Sequence, residues 1–308
     1  MENSREVTIY DIARNLDVSP STVSRALNDD PTVSKKTRKK IFETAARMGY
    51  RSNLFAKNLR QQSSFTIGVI VDELNSSHMT SVLSGIEKVA GEAGYGVIIT
   101  DSAQSAKKEA ANAQSLFHRR VDGVIVSPAG GTGGHDHFQP FIEKSIPIIF
   151  LDRVVEIADS TSVVIDNVGC GYMATRHLIE QGCGRIAHIT SAPENNIYAL
   201  RYKGYLDALR EGGILFDKEL LVIASPTEEA GEEAARRIAE MRPLPDGVFA
   251  AHDLTAAVCI RAFLERGLRV PQDIAVVGFN NDVIGKLIKP ALTTVNYPGR
   301  EMGETAAR

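Results

Sequence analysis

Five polar side chains recur along one short stretch near the start of the chain, where they could form hydrogen bonds to nucleic acid. They are Ser21, Thr22, Ser24, Arg25 and Asn28. Short hydroxyl and amide side chains let a helix approach a groove closely, and an arginine can reach phosphate oxygens or the acceptor edge of guanine. The pattern therefore indicates a DNA-reading helix, although a small helical bundle with a solvated basic face would have the same spacing.

Two capped helices and a tight turn are needed to present these side chains. Thr8, with Asp11 three positions later, predicts the start of a first helix, and residues 17–18 form the predicted turn. Ser19 is a favourable N-cap for the second helix, and Pro20 follows at the first helical position, where a missing N–H costs nothing. This is the layout of a helix-turn-helix.

A third, basic helix is predicted between Ser34, which can cap it, and Gly49, which can end it. The first 62 residues hold 12 Lys and Arg against 7 Asp and Glu, whereas the remaining 246 residues hold 23 against 31. A basic head on an acidic body suits a nucleic-acid contact that is confined to one end of the chain.

The residues of this head resemble the LacI/GalR family of repressors. The resemblance covers nearly every position from 7 to 60, extends more thinly to the end of the chain, and is densest in the stretches Val7–Ala13, Val18–Asn28, Val33–Arg38 and Gly49–Asn53. It implies that residues 1–52 form a helix-turn-helix DNA-binding domain.

By this resemblance, Ser21, Thr22 and Arg25 would read base edges in the major groove. Pro20 occupies the first base-reading position and cannot offer a hydrogen bond there, so direct readout is expected to depend on Ser21 and Arg25. The residues that would hold phosphates are Thr8, Tyr10, Ser24, Asn28, Ser34 and Thr37.

Residues 53–64 are expected to form a hinge helix and linker. In the family, such a hinge folds on the operator and inserts a leucine into the minor groove. Leu59 matches that leucine, and the further expected contacts are Asn53, Ala56 and Arg60. An apolar wedge unstacks a base step and bends the duplex, but an ordinary apolar linker residue is the alternative interpretation of Leu59.

Beyond the linker, apolar runs alternate with amphipathic helical patterns. The predicted strands are Ile67–Val71, Val97–Thr100, Val124–Ser127, Ile146–Asp152, Val163–Asp166, Ile186–Thr190, Leu220–Ala224, Val248–Ala251 and Ile274–Phe279. Continuous apolar strands are typical of parallel sheets that are buried on both faces. The sequence therefore predicts, after the all-α head, an α/β core of two doubly wound parallel-sheet lobes over residues 65–308. The first lobe is expected at about 65–163 plus 293–308, and the second at about 164–292.

Polar side chains follow many of these strands. They are Asp72, Ser127, Asp152, Asp166, His252, Asp253, Asn280 and Asn281. Ligands of such sheets bind beyond the carboxyl ends of the strands, so two facing lobes would place these side chains around one cleft. A lining rich in acceptors and amides and poor in aromatic rings suits a neutral polyol.

The family resemblance implies the same picture, a periplasmic-binding-protein-like type I core that holds a small effector between its lobes. Asp152 and Arg201 match usual effector contacts of the family. The full expected effector-binding set is Asp72, Asn75, His78, Ser127, Asp152, Asn195, Arg201, His252, Asp253 and Asn280. Four simpler alternatives stay open: Asp152 and Asp166 as residues that end strands and cap the next turn, His252 as an interior histidine, and Arg201 as a surface helix residue.

Several positions depart from the family pattern. His252 stands where asparagine is common, Asn280 and Asn281 stand where aspartates are common, and Pro226 stands where some members stack an aromatic ring. The cleft is therefore expected to be amide-rich, which disfavours a cationic effector and leaves room for an acidic sugar or a sugar phosphate.

Other motifs favour neither a cofactor nor catalysis. Residues 169–174 fit G-x-G-x-x-A, but no acid ends the following strand to bind a ribose, so no nucleotide site is expected. His135 and His137 are interpreted as a chance surface cluster, because spacing places no third metal ligand beside them. No nucleophile–base pair presents itself, and neither a cofactor nor a metal is expected.

These features together predict a cytoplasmic, homodimeric transcriptional regulator. It is expected to be a repressor whose affinity for a pseudo-palindromic operator is controlled by a carbohydrate-like effector. No apolar run of transmembrane length and no signal peptide occur in the sequence. A sugar-binding transport-type protein is the alternative, but it should carry a signal peptide and no basic head. The chain stops inside a helix predicted to begin near Pro298, where the resemblance implies that a few tens of residues follow.

Overall fold

The computed structural model describes residues 6–50, 63–129, 134–153, 155, 157, 160–191 and 196–308. Contacts between residues divide the chain into two units, Met1–Gln62 and Ser63–Arg308. The predicted hinge contacts at residues 53, 56, 59 and 60 lie outside the described residues, and they stay predictions.

The head contains the three predicted helices, which are α1 (Ile9–Leu16), α2 (Pro20–Leu27) and α3 (Lys35–Met48). Each helix contributes apolar side chains at helical spacing to one small core, and three of these, Ile12, Val23 and Ile41, are fully buried. The short α1 and α2 would be marginal as isolated helices in water, so this shared core must supply much of their stability.

The first two helices begin where their caps predict. The backbone N–H of Thr8 donates to Asp11 Oδ2 at 2.9 Å, and Ser19 Oγ accepts from the N–H of Thr22 at 3.1 Å. Pro20 lies at the start of α2, where it removes a donor that would have no intrahelical partner. These contacts fix the turn between the two helices.

The third helix is fixed at both ends and along its side. Ser34 Oγ accepts from the N–H of Thr37 at 3.2 Å, and Gly49 ends the helix in a left-handed conformation with φ 71°. Arg38, one of the basic residues of this helix, forms an ion pair with Asp29 at 2.9 Å. It therefore ties α3 to the loop that follows α2.

The core contains ten strands, all paired in parallel among the described residues. One sheet has the order β2-β1-β3-β4-β5 and the other has the order β10-β9-β8-β6-β7. The strands are β1 (Thr66–Val71), β2 (Gly96–Asp101), β3 (Gly123–Val126), β4 (Ile148–Leu151), β5 (Thr161–Val163), β6 (Ile186–Thr190), β7 (Leu221–Ile223), β8 (Gly247–Ala250), β9 (Ala275–Asn280) and β10 (Thr293–Asn296).

Helices connect the strands and cover the sheets. They are α4 (Ser77–Glu92), α5 (Ala106–His118), α6 (Gln139–Glu143), α7 (Asn167–Glu180), α8 (Asn196–Glu211), α9 (Glu228–Glu240), α10 (Asp253–Glu265), α11 (Val283–Leu287) and α12 (Gly299–Ala307). This confirms the prediction of two doubly wound parallel-sheet lobes after a helical head. The carboxyl ends of the strands lead into the loops that form the site described below.

Close packing of α7 on α8 sets the position of the part of the second lobe that faces the site described below. A side chain at Gly171 would collide with the backbone of Arg201, and one at Gly204 would collide with the carbonyl of Val168. The two glycines therefore let the helix backbones touch, and this contact places the first turns of α8 beside the sheet.

Most strand bounds differ from the prediction by one or two residues, and one strand and one lobe assignment need correction. The fifth strand lies at Thr161–Val163 rather than at Val163–Asp166, because Asp166 Oδ1 accepts from the N–H of Gly169 at 2.8 Å and so caps α7. The residues of β10 were assigned to the first lobe, but β10 pairs with β9 in the second sheet. Only α12 returns to the first lobe, where it packs against α4.

Candidate functional site

The outward face of α2 presents the predicted base-reading residues. Ser21, Arg25 and Asn28 are exposed, whereas Thr22 and Ser24 are half-buried. The inward face of the same helix packs into the core of the head. The helix therefore has one face fixed by packing and one face free to enter a groove.

Several of these side chains are held by the helix itself. Arg25 Nε donates to the carbonyl of Ser21 at 3.4 Å, and Asn28 Nδ2 donates to the carbonyl of Ser24 at 2.8 Å. Because these bonds are exposed and local, they can be exchanged at low cost for bonds to a base or a phosphate.

Four of the six expected phosphate contacts lie close to helix N-termini, whereas Ser24 lies inside α2 and Asn28 caps its C-terminus. Tyr10 is 63% exposed in the first turn of α1, and Ser34 and Thr37 share a hydrogen bond of 2.9 Å between their hydroxyls at the start of α3. The N–H groups and the dipole at a helix N-terminus favour anions. Thr8 is less available, since its hydroxyl donates to Asp11 at 2.7 Å.

A cavity of about 800 Å³ lies at the carboxyl ends of the strands of the core. Both lobes contribute to its walls. Seven of the predicted effector residues line it: Asp72, Asn75, His78, Asp152, Arg201, His252 and Asn280. Asn195 lies outside the described residues. Lining residues that were not in the predicted set include Gln104, Arg153, Tyr198, Asp282 and Tyr297.

Asp72 forms the centre of the first-lobe wall. Its carboxylate accepts from Ser127 Oγ at 3.3 Å and forms an ion pair with Arg153 at 3.3 Å. Burial raises the pKa of Asp72, and the nearby charge of Asp152 raises it further, whereas Arg153 opposes the shift. The wall therefore contains two neighbouring carboxylates and one cation.

Asp152 lies where the two lobes meet. Its carboxylate accepts from the hydroxyl of Tyr297, which follows β10, at 3.1 Å. Its backbone has a φ of 67°, an uncommon conformation that directs the chain sharply away after β4. The edge of the Tyr297 ring also meets His78, with 5.3 Å between ring centroids. These contacts position the Asp152 carboxylate at the base of the cavity.

Arg201 is the buried cation of the second-lobe wall. Its guanidinium donates to Asn167 Oδ1 and to the carbonyl of Ala251, both at 3.0 Å, and lies 3.5 Å above the Phe279 ring. Within the part of the chain that the structure describes, no carboxylate comes within ion-pair distance of it. The guanidinium charge is therefore held at contact distance by dipoles and a ring, while the charge of Asp152 acts on it from farther away.

His252 and Tyr198 form a hydrogen-bonded pair beside Arg201. The Tyr198 hydroxyl lies 2.5 Å from His252 Nε2. Burial and the charge of Arg201 lower the pKa of His252 to about 3, so the ring is neutral at neutral pH. A neutral imidazole offers one donor and one acceptor, which suits a hydroxylated ligand better than a charged one.

Two predicted effector residues are not part of the cavity lining. Ser127 is buried behind Asp72, to which it donates. Asp253 is fully buried, and its carboxylate accepts from the N–H of Asp282 at 2.7 Å and from Thr294 Oγ1 at 2.6 Å. Both side chains support the loops of the site instead of facing its interior.

One contact joins the two lobes at the rim of the cavity. Ser77, the first residue of α4, donates a hydrogen bond to the carboxylate of Asp282, the N-cap of α11. Both side chains line the cavity, and both are solvent-accessible. The contact therefore links the two lobes on one side of the cavity.

The division of the chain into a head and a core coincides with matches to two known protein families. Residues 8–53 match the bacterial regulatory proteins of the lacI family, and residues 175–308 match a periplasmic binding protein-like domain. Catabolite control protein A of Priestia megaterium is 32% identical over 303 residues, which cover 98% of this chain and 91% of that protein. The chain belongs to the LacI family of bacterial regulatory proteins.

Other family members match over the same length. The HTH-type transcriptional repressor PurR of Erwinia tasmaniensis is 32% identical, covering 97% of this chain and 88% of that protein. A Lac repressor dimer solved with operator and the anti-inducer ONPF has a TM-score of 0.87 at 25% identity, covering 98% of this chain and 91% of that chain. The regulator CelR, solved with cellobiose, has a TM-score of 0.73 at 28% identity with the same coverage.

Membership of this family confirms the prediction of a DNA-binding transcriptional regulator over that of a transport-type binding protein. The family is one of regulators rather than of enzymes. Among the described residues, no helix combines the length and the apolar character that crossing a bilayer requires.

Proposed function

We propose that the protein is a cytoplasmic, homodimeric repressor whose affinity for operator DNA is controlled by a small carbohydrate-like ligand in the cavity of the core. The cavity shared by the two lobes is the observation that carries this proposal. Relatives solved with an operator and with cellobiose support it. Two copies would present two recognition helices to the half-sites of a pseudo-palindromic operator.

The polar groups of the cavity favour a ligand with several hydroxyls. Asp72 and Asp152 offer acceptors, Arg201 offers donors, and Asn280 offers both, whereas His252 can offer only Nδ1 because its Nε2 is bonded to Tyr198. Each sugar hydroxyl can donate to one such group and accept from another. These groups are therefore expected to recognise a pattern of hydroxyls rather than a single functional group.

Charge favours a neutral ligand over a polyanion. The carboxylates in the lining belong to Asp72, Glu73, Asp152 and Asp282, against the guanidinium groups of Arg153 and Arg201. Arg153 is already paired with Asp72. A sugar acid is the second candidate, because Arg201 lacks a paired carboxylate within the described residues and could bind one.

Control of DNA binding requires that the ligand distinguish two arrangements of the lobes. A ligand can shift that equilibrium only by the difference between its affinities for the two arrangements, typically about 1–3 kcal/mol. The Ser77–Asp282 contact belongs to the arrangement described above. A ligand that contacts both lobes stabilises this arrangement, and operator affinity changes with it.

Thermal-shift screening of neutral sugars, sugar acids and sugar phosphates on the full chain tests the ligand class. A ligand at roughly 100 times its Kd should stabilise the core by about 2.7 kcal/mol. Operators are selected from random duplex DNA, and operator affinity is then measured by fluorescence anisotropy with and without the ligand. A ligand that raises the melting temperature without changing operator affinity contradicts the proposal.

Replacing one acceptor tests the assignment of the cavity. Asp152→Ala should retain operator binding and lose the response to ligand, because the substitution removes an acceptor at the base of the cavity. Asp207→Ala, on the outer part of α8, is the matched control and should respond normally. A normal ligand response in Asp152→Ala would contradict the assignment of this cavity as the ligand site.

A further inference from the structure

Three possible metal ligands come together on the first lobe, outside the cavity lining. They are Glu109 in the first turn of α5, His135, and His137 in a 3-10 turn at Asp136–Phe138. One ligand atom from each lies within 4.8 Å of the others. The sequence interpretation of the two histidines as a chance surface cluster needs correction, because both are half-buried and lie beside a buried carboxylate.

Glu109 is the most deeply buried of the three. Its side chain is 1% exposed, its Oε1 lies 2.9 Å from His137 Nε2, and its Oε2 accepts from the N–H of Ala129 at 2.5 Å. Removing a carboxylate from water is costly unless an opposite charge or a metal compensates it. A cation at this position would provide that compensation.

His135 adds an independent observation. Its Nδ1 atom is buried and has no hydrogen-bond partner. An unpaired buried ring nitrogen costs on the order of 1–3 kcal/mol. The ring itself is held in place, with centroids 6.3 Å from those of Phe138 and Phe150. A fixed ring that has an unpartnered buried nitrogen and lies close to a buried carboxylate fits a metal site.

We propose that Glu109, His135 and His137 bind a divalent transition-metal cation such as Zn²⁺. Two imidazole nitrogens and one carboxylate oxygen form a common donor set for Zn²⁺, with one further position for water. Two nitrogen donors disfavour Ca²⁺ and Mg²⁺, which prefer oxygen ligands. The Ala129 N–H, which holds the second carboxylate oxygen, would orient the ligating one.

The short segment after β3 contacts both the proposed metal site and the walls of the effector cavity. In the segment after β3, Ala129 donates to Glu109, Pro128 accepts from Arg153, and Ser127 donates to Asp72. Arg153 and Asp72 line the cavity. The metal site is therefore separate from the cavity. Ala129, which holds its carboxylate, lies only two residues along the chain from Ser127, which supports the cavity wall.

Zn²⁺ binding to the full chain tests the proposal. The protein is stripped with a chelator, loaded with Zn²⁺, passed through gel filtration and analysed for retained metal. We expect the unaltered chain to retain one Zn²⁺ per molecule and the ligand variants described next to retain less. Bound Zn²⁺ should also raise the melting temperature, and chelator should return it to its starting value. The spectrum of Co²⁺ substituted for Zn²⁺ reports nitrogen and oxygen ligands.

His135→Phe is the decisive variant, since it preserves a ring against Phe138 and Phe150 and removes the ligand atom. Its Zn²⁺ affinity should fall by more than about tenfold, as should that of Glu109→Gln, which keeps an acceptor for Ala129. His177→Phe, at an exposed position on α7, is the control and should bind as the unaltered chain does.

Two results would overturn the proposal. One is the absence of retained Zn²⁺ in the unaltered chain, which would leave a purely structural hydrogen-bonded cluster. The other is retention of one Zn²⁺ by a folded His135→Phe chain, which would place the metal elsewhere. If Glu109→Gln fails to fold, His135→Phe still decides the outcome, because His135 Nδ1 makes no hydrogen bond that the substitution could remove.

Discussion

Arg201 is a single residue on which both the packing and the chemistry of the second-lobe wall depend. It is 2% exposed, yet its partners are a side-chain amide, a backbone carbonyl and the face of Phe279. Burial lowers the pKa of Arg201, but a guanidinium stays charged in a protein. The residue therefore keeps a positive charge at the cavity wall, where a ligand acceptor can approach it.

Arg201→Lys should weaken ligand binding by more than about tenfold, because a point-like ammonium cannot reproduce the planar fork that contacts Asn167 and Ala251 together. Loss of one buried hydrogen bond should also lower the free energy of unfolding by about 1–3 kcal/mol. Calorimetry and urea denaturation measure the two effects. Arg210→Lys, at an exposed position of the same helix, should change neither. Normal ligand affinity in Arg201→Lys would argue against a direct contact.

His188 predicts how stability depends on pH. It is fully buried between Tyr205 and Phe249, and its Nδ1 lies 3.0 Å from the carbonyl of Phe249. Burial lowers the pKa of His188 from 6.5 to about 4. Because the folded pKa is depressed, the unfolded chain takes up a proton first, and stability is lost as pH falls from about 6.5 towards 4.

His188→Phe should therefore reduce the pH dependence of unfolding. The penalty from His188 should reach about 2 kcal/mol near pH 5, and the variant should lack it. Urea denaturation near pH 7.5 and near pH 5 measures the difference for each chain. His252 has its own depressed pKa and should leave part of the pH dependence in the variant. An equal pH effect in both chains would contradict the assignment to His188.

Individual site residues could be predicted only where a motif or a strand end placed them. Asp152, Arg201 and His252 were found in this way. Tyr297, which follows β10 and lines the cavity, was missed because β10 was assigned to the other lobe. The proximity of Glu109 to His135 and His137 was missed because these residues lie far apart along the chain. Contacts between residues far apart in the sequence depend on how helices and strands pack, so no local sequence pattern predicts them.

At the scale of elements, α2 depends on α1 and α3 for its orientation. The cap at Ser19 fixes where α2 begins, and Arg38 ties α3 to the loop after α2. Caps and apolar spacing are local, which explains why the helices of the head could be predicted nearly residue by residue. The position of β5 was predicted wrongly because an apolar pattern alone was used. Residues up to Asp166 were assigned to the strand, whereas Asp166 caps α7 and the strand ends at Val163.

Arg25→Ala should remove discrimination between operator and unrelated DNA while leaving ligand binding unchanged. Loss of a bidentate base contact costs about 1–3 kcal/mol of discrimination. Arg14→Ala removes the same charge from an exposed position of α1, so it should weaken binding to both DNA sequences about equally. Anisotropy titrations with each duplex measure the ratio. Equal losses in Arg25→Ala would assign that residue to phosphate contact only.

At the scale of the molecule, the two units differ in charge. The first 62 residues carry an excess of Lys and Arg, whereas the rest of the chain carries an excess of Asp and Glu. An excess of acidic residues disfavours contact of the core with DNA, and the basic residues of the head are expected to make DNA binding dependent on salt. Charge counts and strand periodicity predicted this division, but the crossing of the chain back to the first lobe after β10 required the sheet pairing.

Ser77→Ala should weaken ligand binding about fivefold, because the arrangement of the lobes described above loses one hydrogen bond worth about 1 kcal/mol. The ligand concentration at which the change in operator affinity is half complete should rise by the same factor. Ser81→Ala, at an exposed position of the same helix, is the control. Unchanged ligand affinity in Ser77→Ala would indicate that the Ser77–Asp282 contact does not stabilise the ligand-binding arrangement.

The Ser77–Asp282 contact also has a consequence in time. It joins the lobes beside the cavity, so the lobes can separate on that side only after this hydrogen bond breaks. Where exit of the ligand requires that separation, its residence time is set by the rate of opening, which for such motions falls between microseconds and seconds. Fluctuations of the ligand concentration that are shorter than this interval are averaged before they reach the DNA.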